Sequence, residues 1–177
     1  MHILKNIFVF SFIISVILVV GCVEQTTEDT LVDWRDTELT DIATGETFRI
    51  SDFKGSPVML ESFAVWCPTC LKQQKEVQTF RLTEGNTSNN VVHISLDTDP
   101  NEDEEQVREY FENNGFDWYF AIAPPEMTRS MIDELGPQVV VAPSAPVVLI
   151  CEDQSARLMA RGVKSPEDLQ EELDQGC

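Results

Sequence analysis

One stretch constrains this chain more than any other. Val58-Met59-Leu60-Glu61-Ser62-Phe63-Ala64-Val65 is apolar but for one carboxylate and one hydroxyl, and it closes on Trp66-Cys67-Pro68-Thr69-Cys70. The apolar run has strand length, and Leu71 to Arg81 contains neither Gly nor Pro and reads as a helix. A strand feeding a helix through Cys-x-x-Cys places the first sulfur at the helix N-terminus. There, unpaired backbone N–H groups and the helix dipole favour a thiolate. Pro68 fits the first helical turn, which has no use for its missing N–H. The same spacing could form half of a zinc site, but zinc needs two more ligands. The chain has no second Cys-x-x-Cys, and its histidines are His2 and an isolated His93. A redox dithiol is therefore expected, with no metal and no cofactor.

The stretch resembles the active site of the thioredoxin superfamily in residue type, order and spacing. The resemblance extends upstream. Leu39-Thr40-Asp41, Gly45 and Ser51-Asp52-Phe53-Lys54-Gly55, leading to Pro57-Val58, are similar to the approach segment of TlpA-like, membrane-anchored members. Ala43-Thr44-Gly45 marks a turn between two short strand-like runs. Downstream, Val91–Leu96 reads as a buried parallel strand and Glu102–Asn114 as a helix capped by Asn101. Trp118–Ala123 follows as a strand, and Pro125 opens a helix with Met127, Met131 and Leu135 on one face. Val147–Cys151 and Ala156–Arg161 form a closing hairpin, and Ser165 caps a last helix from Pro166 to about Asp174. The expected fold is α/β: a thioredoxin-like three-layer α/β/α sandwich with a mixed central sheet and an N-terminal β-hairpin extension.

The resemblance also implies roles. Cys67 attacks a partner disulfide and Cys70 resolves the mixed disulfide. Glu61, six residues before Cys67, matches the family's buried acid, which moves the proton of the second cysteine; the alternative is a carboxylate reaching water at the sheet edge. A cis-proline is implied opposite the dithiol, at Pro146 or else at Pro143. Trp66, Pro68, Ala145 and Pro146 are expected to rim the site where an extended partner segment docks. A peroxidase of the peroxiredoxin type would need Pro and Thr where Leu60 and Ala64 stand, and a copper-delivery protein would need Cys-x-x-x-Cys. The resemblance favours a reductase of protein disulfides recharged by a membrane electron donor. An oxidant or isomerase of the same fold, or a binding module with a structural Cys67–Cys70 disulfide, stays open.

The N-terminus sets the location. Ile7–Val20 is apolar apart from two serines, shorter than the roughly 20 residues of a spanning helix, and reads as a signal-peptide core. Val19-Val20-Gly21-Cys22 resembles a lipobox, so residues 1–21 would be removed and Cys22 would carry lipid; an uncleaved anchor is the alternative. Residues 22–30 read as a polar tether and 31–177 as the domain. The domain is expected outside the cytoplasm, held to the outer face of the membrane, acting as a monomer. In an oxidising compartment Cys151 and Cys177 are left to pair, or else stay as a buried free thiol and a frayed end. Thirty-one acids against twelve bases give a net charge of −19 in 177 residues, which argues against nucleic acid as a partner.

Overall fold

A computed structural model describes residues 33–83 and 91–176. Two short strands, β1 (Leu39–Thr40) and β2 (Thr47–Phe48), pair antiparallel as the N-terminal hairpin. The chain then enters β3 (Val58–Phe63), α1 (Pro68–Thr83), β4 (Val92–Asp97), α2 (Glu104–Asn114), β5 (Tyr119–Ile122) and α3 (Pro125–Leu135). Two 3-10 turns, Pro137–Val140 and Ala142–Ser144, lead to β6 (Val147–Ile150), β7 (Ala156–Leu158) and α4 (Pro166–Gln175). The five-stranded sheet runs β5-β4-β3-β6-β7. Its first three strands are parallel, and β6 and β7 are each antiparallel to their neighbour. This is the expected thioredoxin-like sandwich with its mixed sheet and hairpin.

The strand at the centre, β3, is buried along its whole length, which is why its sequence is a nearly unbroken apolar run. Its side chains alternate between two cores. Met59 and Phe63 join Val77 and Phe80 of α1, Val107 and Tyr110 of α2 and Leu169 of α4 on one face. Val58 and Leu60 join Met127 and Met131 of α3 with Trp34 and Ile50 on the other. The methionines of α3 are thus core, as their spacing implies. By the same alternation Glu61 falls on the α1 face, the one that carries the dithiol.

Several boundaries differ from the sequence reading. The cap of α2 is Asp103, not Asn101: its carboxylate accepts from Gln106 N, and Gln106 Oε1 accepts in return from Asp103 N. That reciprocal pair outcompetes a single cap two residues earlier. Gly115 ends α2 at φ 64°, a left-handed position that suits glycine. The final hairpin is shorter than expected, with β7 stopping at Leu158. Ser165 caps α4 as read, in a capping box with Asp168.

Candidate active site

The turn from β3 into α1 builds the site. Cys67 stands just before Pro68, the first residue of α1, and its N–H bonds to Ala64 O at 3.0 Å. One helical turn on, the N–H of Cys70 donates to Cys67 Sγ at 3.2 Å. An amide of the first turn thus points at the first sulfur, the arrangement that stabilises negative charge there. Cys70 is completely buried, its thiol lies 3.1 Å from Ala142 O, and both cysteines are free thiols. Burial, with hydrogen bonding to Cys67, pushes the Cys70 thiol far above its ordinary value. Both sulfurs are buried, but Cys67 Sγ accepts from an amide while the Cys70 thiol faces a carbonyl, so the two are chemically unequal.

Glu61 lies beneath them. It is 3% exposed in the central strand, paired with Ser95 of β4 and Val147 of β6, and its Oε1 has no hydrogen-bond partner. This is the buried alternative of the sequence reading, not the sheet edge. Burial raises its carboxyl well above the usual range, opposed by the charge of Lys164. Tyr110 of α2 completes the surroundings; burial and then the charge of Glu61 raise its hydroxyl, which donates to Gln74 of α1.

Trp66 is 60% exposed beside the dithiol, and its indole N–H donates to Asp99 at 2.6 Å. A second acidic group holds the same turn from below. Both carboxylate oxygens of Glu102 accept from Val65 N, at 3.0 and 2.8 Å. Next to it Asp97, at the end of β4, is fully buried with Oδ2 unpartnered. Burial above all, then the charges of Glu102 and Asp99, push its carboxyl up to about 7.

The proline expectation is corrected. No cis peptide bond occurs among the described residues, so neither Pro146 nor Pro143 is cis. The chain turns instead through Ala145, whose φ of 47° and ψ of 60° lie in the left-handed region. Nor are Ala145 and Pro146 an open rim, since both are buried. Their backbone groups are already engaged: Ala145 N bonds to Ala142 O, Ala145 O accepts from Lys164 Nζ, and Pro146 O accepts from Ser62 N. The open surface beside the dithiol lies one turn upstream. A cleft of 230 Å³ runs between Trp66, Asp99 and Pro100 on one side and Val141, Ala142 and Pro143 on the other. Pro68 is exposed at the start of α1 but does not line this cleft.

Lys164, Asp97, Glu102 and Ala142 were not singled out in the sequence. A lone lysine before a capped helix and acids in a charged loop carry no pattern that separates them from solvated surface. Of the remaining expected residues, Cys151 is disulfide-bonded. Cys22 and Cys177 lie outside the described residues. Among the described residues no cluster of three metal-binding side chains occurs.

The model of the Redoxin family matches residues 28–170. No curated protein matches the sequence. Solved structures of similar shape include a thiol:disulfide interchange protein of the thioredoxin family from Chlorobium tepidum, with TM-score 0.65 and 17% identity over 79% of this chain and 92% of that one. A secreted disulfide oxidoreductase of Mycobacterium tuberculosis aligns with TM-score 0.59 and 12% identity, over 78% and 94%. The exposed lipoprotein thioredoxin of Streptococcus pneumoniae aligns with TM-score 0.57 and 18% identity, over 78% and 98%. At these identities the structures establish the shared fold, and the family match with the free Cys67–Cys70 pair carries the chemistry. The chain belongs to the Redoxin family, as a thiol–disulfide oxidoreductase of thioredoxin-like fold.

Proposed function

We propose that this protein reduces disulfides of other proteins outside the cytoplasm, tethered to the membrane by lipid on Cys22 and recharged by a membrane electron donor. The observation that carries the mechanism is the inequality of the two sulfurs. Cys67, with an amide of α1 pointing at it, is the attacking thiolate. It displaces one sulfur of the partner disulfide, and that sulfur leaves with the electron pair and takes a proton. Cys70, buried and protonated on Ala142 O, waits. Glu61 then accepts its proton, and the Cys70 thiolate attacks Cys67 Sγ. The bond from Cys67 to the partner breaks, the second partner thiol departs reduced, and the Cys67–Cys70 disulfide remains. The partner segment docks in the cleft between Trp66 and Val141–Pro143.

The location is supported by the apolar segment ending at Gly21-Cys22, with the polar residues 22–30 as tether and 31–177 as the working domain. Among the described residues no helix is long and apolar enough to cross a membrane. The test is insulin reduction with dithiothreitol as donor. Turnover that vanishes in Cys67→Ser supports the reductase, and Cys70→Ser should accumulate partner mixed disulfides on Cys67. Equal, uncatalysed rates for the wild type and Cys67→Ser would reduce the protein to a binding module.

A further inference from the structure

The loop that leaves β4 grips the turn that leaves β3. Asp97 ends β4 in register with Phe63 of β3, and Thr98 N donates to Phe63 O at 3.1 Å. The next donor on that edge is Val65 N, and β4 has ended before it could offer a carbonyl. The Glu102 carboxylate supplies the acceptor, taking this one N–H with both oxygens at 3.0 and 2.8 Å. Glu102 is itself fixed on two sides. Its N–H donates to Asp99 O at 3.3 Å, and Asp103, the residue after it, is tied into the cap of α2. One residue beyond Val65, the Trp66 indole reaches Asp99, but that bond is exposed and competes with water. Cys67 is held from the other direction: its Sγ accepts from Cys70 N and its carbonyl from Leu71 N, both in α1. The turn thus has one fixed point at the sulfur and another at Val65, with Trp66 between them. Thr98, Asp99 and Pro100 line the 230 Å³ cleft beside the dithiol and also a neighbouring 680 Å³ hollow, which Glu102 lines too. Water in the larger hollow can satisfy Val65 N when Glu102 is replaced, so the turn would loosen without unfolding.

We propose that Glu102 is a positioning residue for partner docking: by holding Val65 N it sets Trp66, one wall of the cleft, against Val141–Pro143, the other. The proposal rests on the partner segment docking in that cleft. It assigns to Glu102 the selection of large disulfide partners rather than the reactivity of the sulfur. An extended segment that fits between two walls binds best when both stand in place before it arrives, because ordering a loose wall on binding costs affinity. A small disulfide needs only the sulfur, which α1 holds. Val65 N is a neutral amide donor, so the acceptor at this place matters and a side-chain amide oxygen can supply it.

The test uses the reduced full-length protein in detergent and compares two substrates, insulin and the small, uncharged hydroxyethyl disulfide. Loss of the Cys67 thiol is followed by acid quench, alkylation and mass spectrometry. In Glu102→Met, similar in size but without an acceptor, the ratio of the insulin rate to the small-disulfide rate should fall about tenfold. Glu102→Gln removes the same charge but keeps an oxygen for Val65 N, so its ratio should return to within about twofold of the wild type. Hydrogen exchange at Val65 should quicken about tenfold in Glu102→Met, while Ser62, bonded to Pro146 O, stays protected. Adding Glu102→Met to Trp66→Ala should change the ratio by less than about twofold, because the wall is already gone. Equal slowing with both disulfides, unchanged exchange at Val65, a Glu102→Gln as impaired as Glu102→Met, or additive losses with Trp66→Ala overturns the proposal. If Trp66→Ala alone keeps the wild-type ratio, the partner does not dock in the cleft, and the proposal falls with that reading. If Trp66→Ala lowers the ratio and Glu102→Met does not, the docking reading stands and the proposal alone is wrong. Should Glu102→Met fail to fold, Glu102→Asp withdraws the oxygens by one methylene and must lower the ratio; an unchanged ratio there also overturns the proposal.

Discussion

Asp97 offers a test of the site's electrostatics that needs no partner. Its carboxyl is fully buried at the end of β4, and Oδ1 accepts from Asp99 N at 3.0 Å while Oδ2 has no partner. Asparagine has the same shape: its oxygen can keep the Asp99 bond, and its amide can face the Glu102 carboxylate as the protonated acid would. The native carboxyl titrates at about 7 against 3.8 for the ordinary group. At roughly 1.4 kcal/mol per unit, that places a ceiling of about 4 kcal/mol on the cost of ionising it in the fold. Relaxation and water entry at the strand end reduce the expected effect to about 2 kcal/mol. The sign follows from proton counting. Between about pH 4 and 7 the unfolded chain has lost this proton and the native one keeps it, so stability falls as pH rises through that window. Above 7 both forms are ionised and the loss is complete.

Asp97→Asn should therefore match the wild type near pH 4 and exceed it by an amount that grows to about 2 kcal/mol above pH 7. Urea unfolding of both proteins at intervals from pH 4 to 8 measures this, and the difference removes the titration of groups remote from Asp97. A difference that stays constant across the window would show that Asp97 ionises normally, and the reasoning about its burial would be wrong.

Other outcomes follow. His93 is buried against Phe80, and burial, aided by the Arg81 charge, lowers it to about 3, so it stays neutral in the fold while the unfolded chain protonates near 6.5. His93→Leu should lessen the loss of stability as pH falls from about 6.5 towards 3, read by the same unfolding series. Cys151 is disulfide-bonded, and Gly176 lines the same 470 Å³ hollow, so non-reducing peptide mapping should recover a Cys151–Cys177 peptide; alkylation of both in folded protein would exclude the pairing. Cys22→Ser should release the domain from membranes or leave it uncleaved, and native mass spectrometry finding residues 1–21 attached without lipid would exclude the anchor.

What the sequence made legible was whatever depends on local pattern. Cys67-x-x-Cys70 with Pro68 marks a helix start whatever surrounds it, and the largely apolar run of β3, broken by Glu61 and Ser62, announces a strand covered on both faces. Ser165 with Asp168 writes a cap in four residues. The misses arise where two distant segments decide. Ala145 takes a left-handed turn because Lys164, Ser62 and Ala142 already claim the backbone groups around it. Nothing within the Ala142–Pro146 segment encodes those partners. Lys164 itself turns inward because Gln73 holds its backbone, a contact ninety-one residues apart in the chain. Asp97 resembles the solvated acids beside it until the sheet ends over it.

The acids around the dithiol divide by what answers their charge. Glu61 has a cation, Lys164, and stands on the face of β3 that carries the dithiol. Asp97 has no cation and two acidic neighbours, Glu102 and Asp99. The charge of Glu61 is among the causes that raise the Cys70 thiol, and in the proposed resolution step Glu61 takes the Cys70 proton. The second pair instead bears on position. Glu102 holds the Val65 N–H with both oxygens, one residue before Trp66, and Asp99 holds the Trp66 indole. One N–H shared between both oxygens is a charge-assisted bond to a carboxylate, and the charge of Glu102 is among the causes that raise the neighbouring Asp97 carboxyl. The chain thus uses the same side-chain chemistry in two ways. One acid, answered by a lysine, is left free to move a proton in the proposed resolution step. Others, crowded together, hold the turn that presents Trp66 and Cys67.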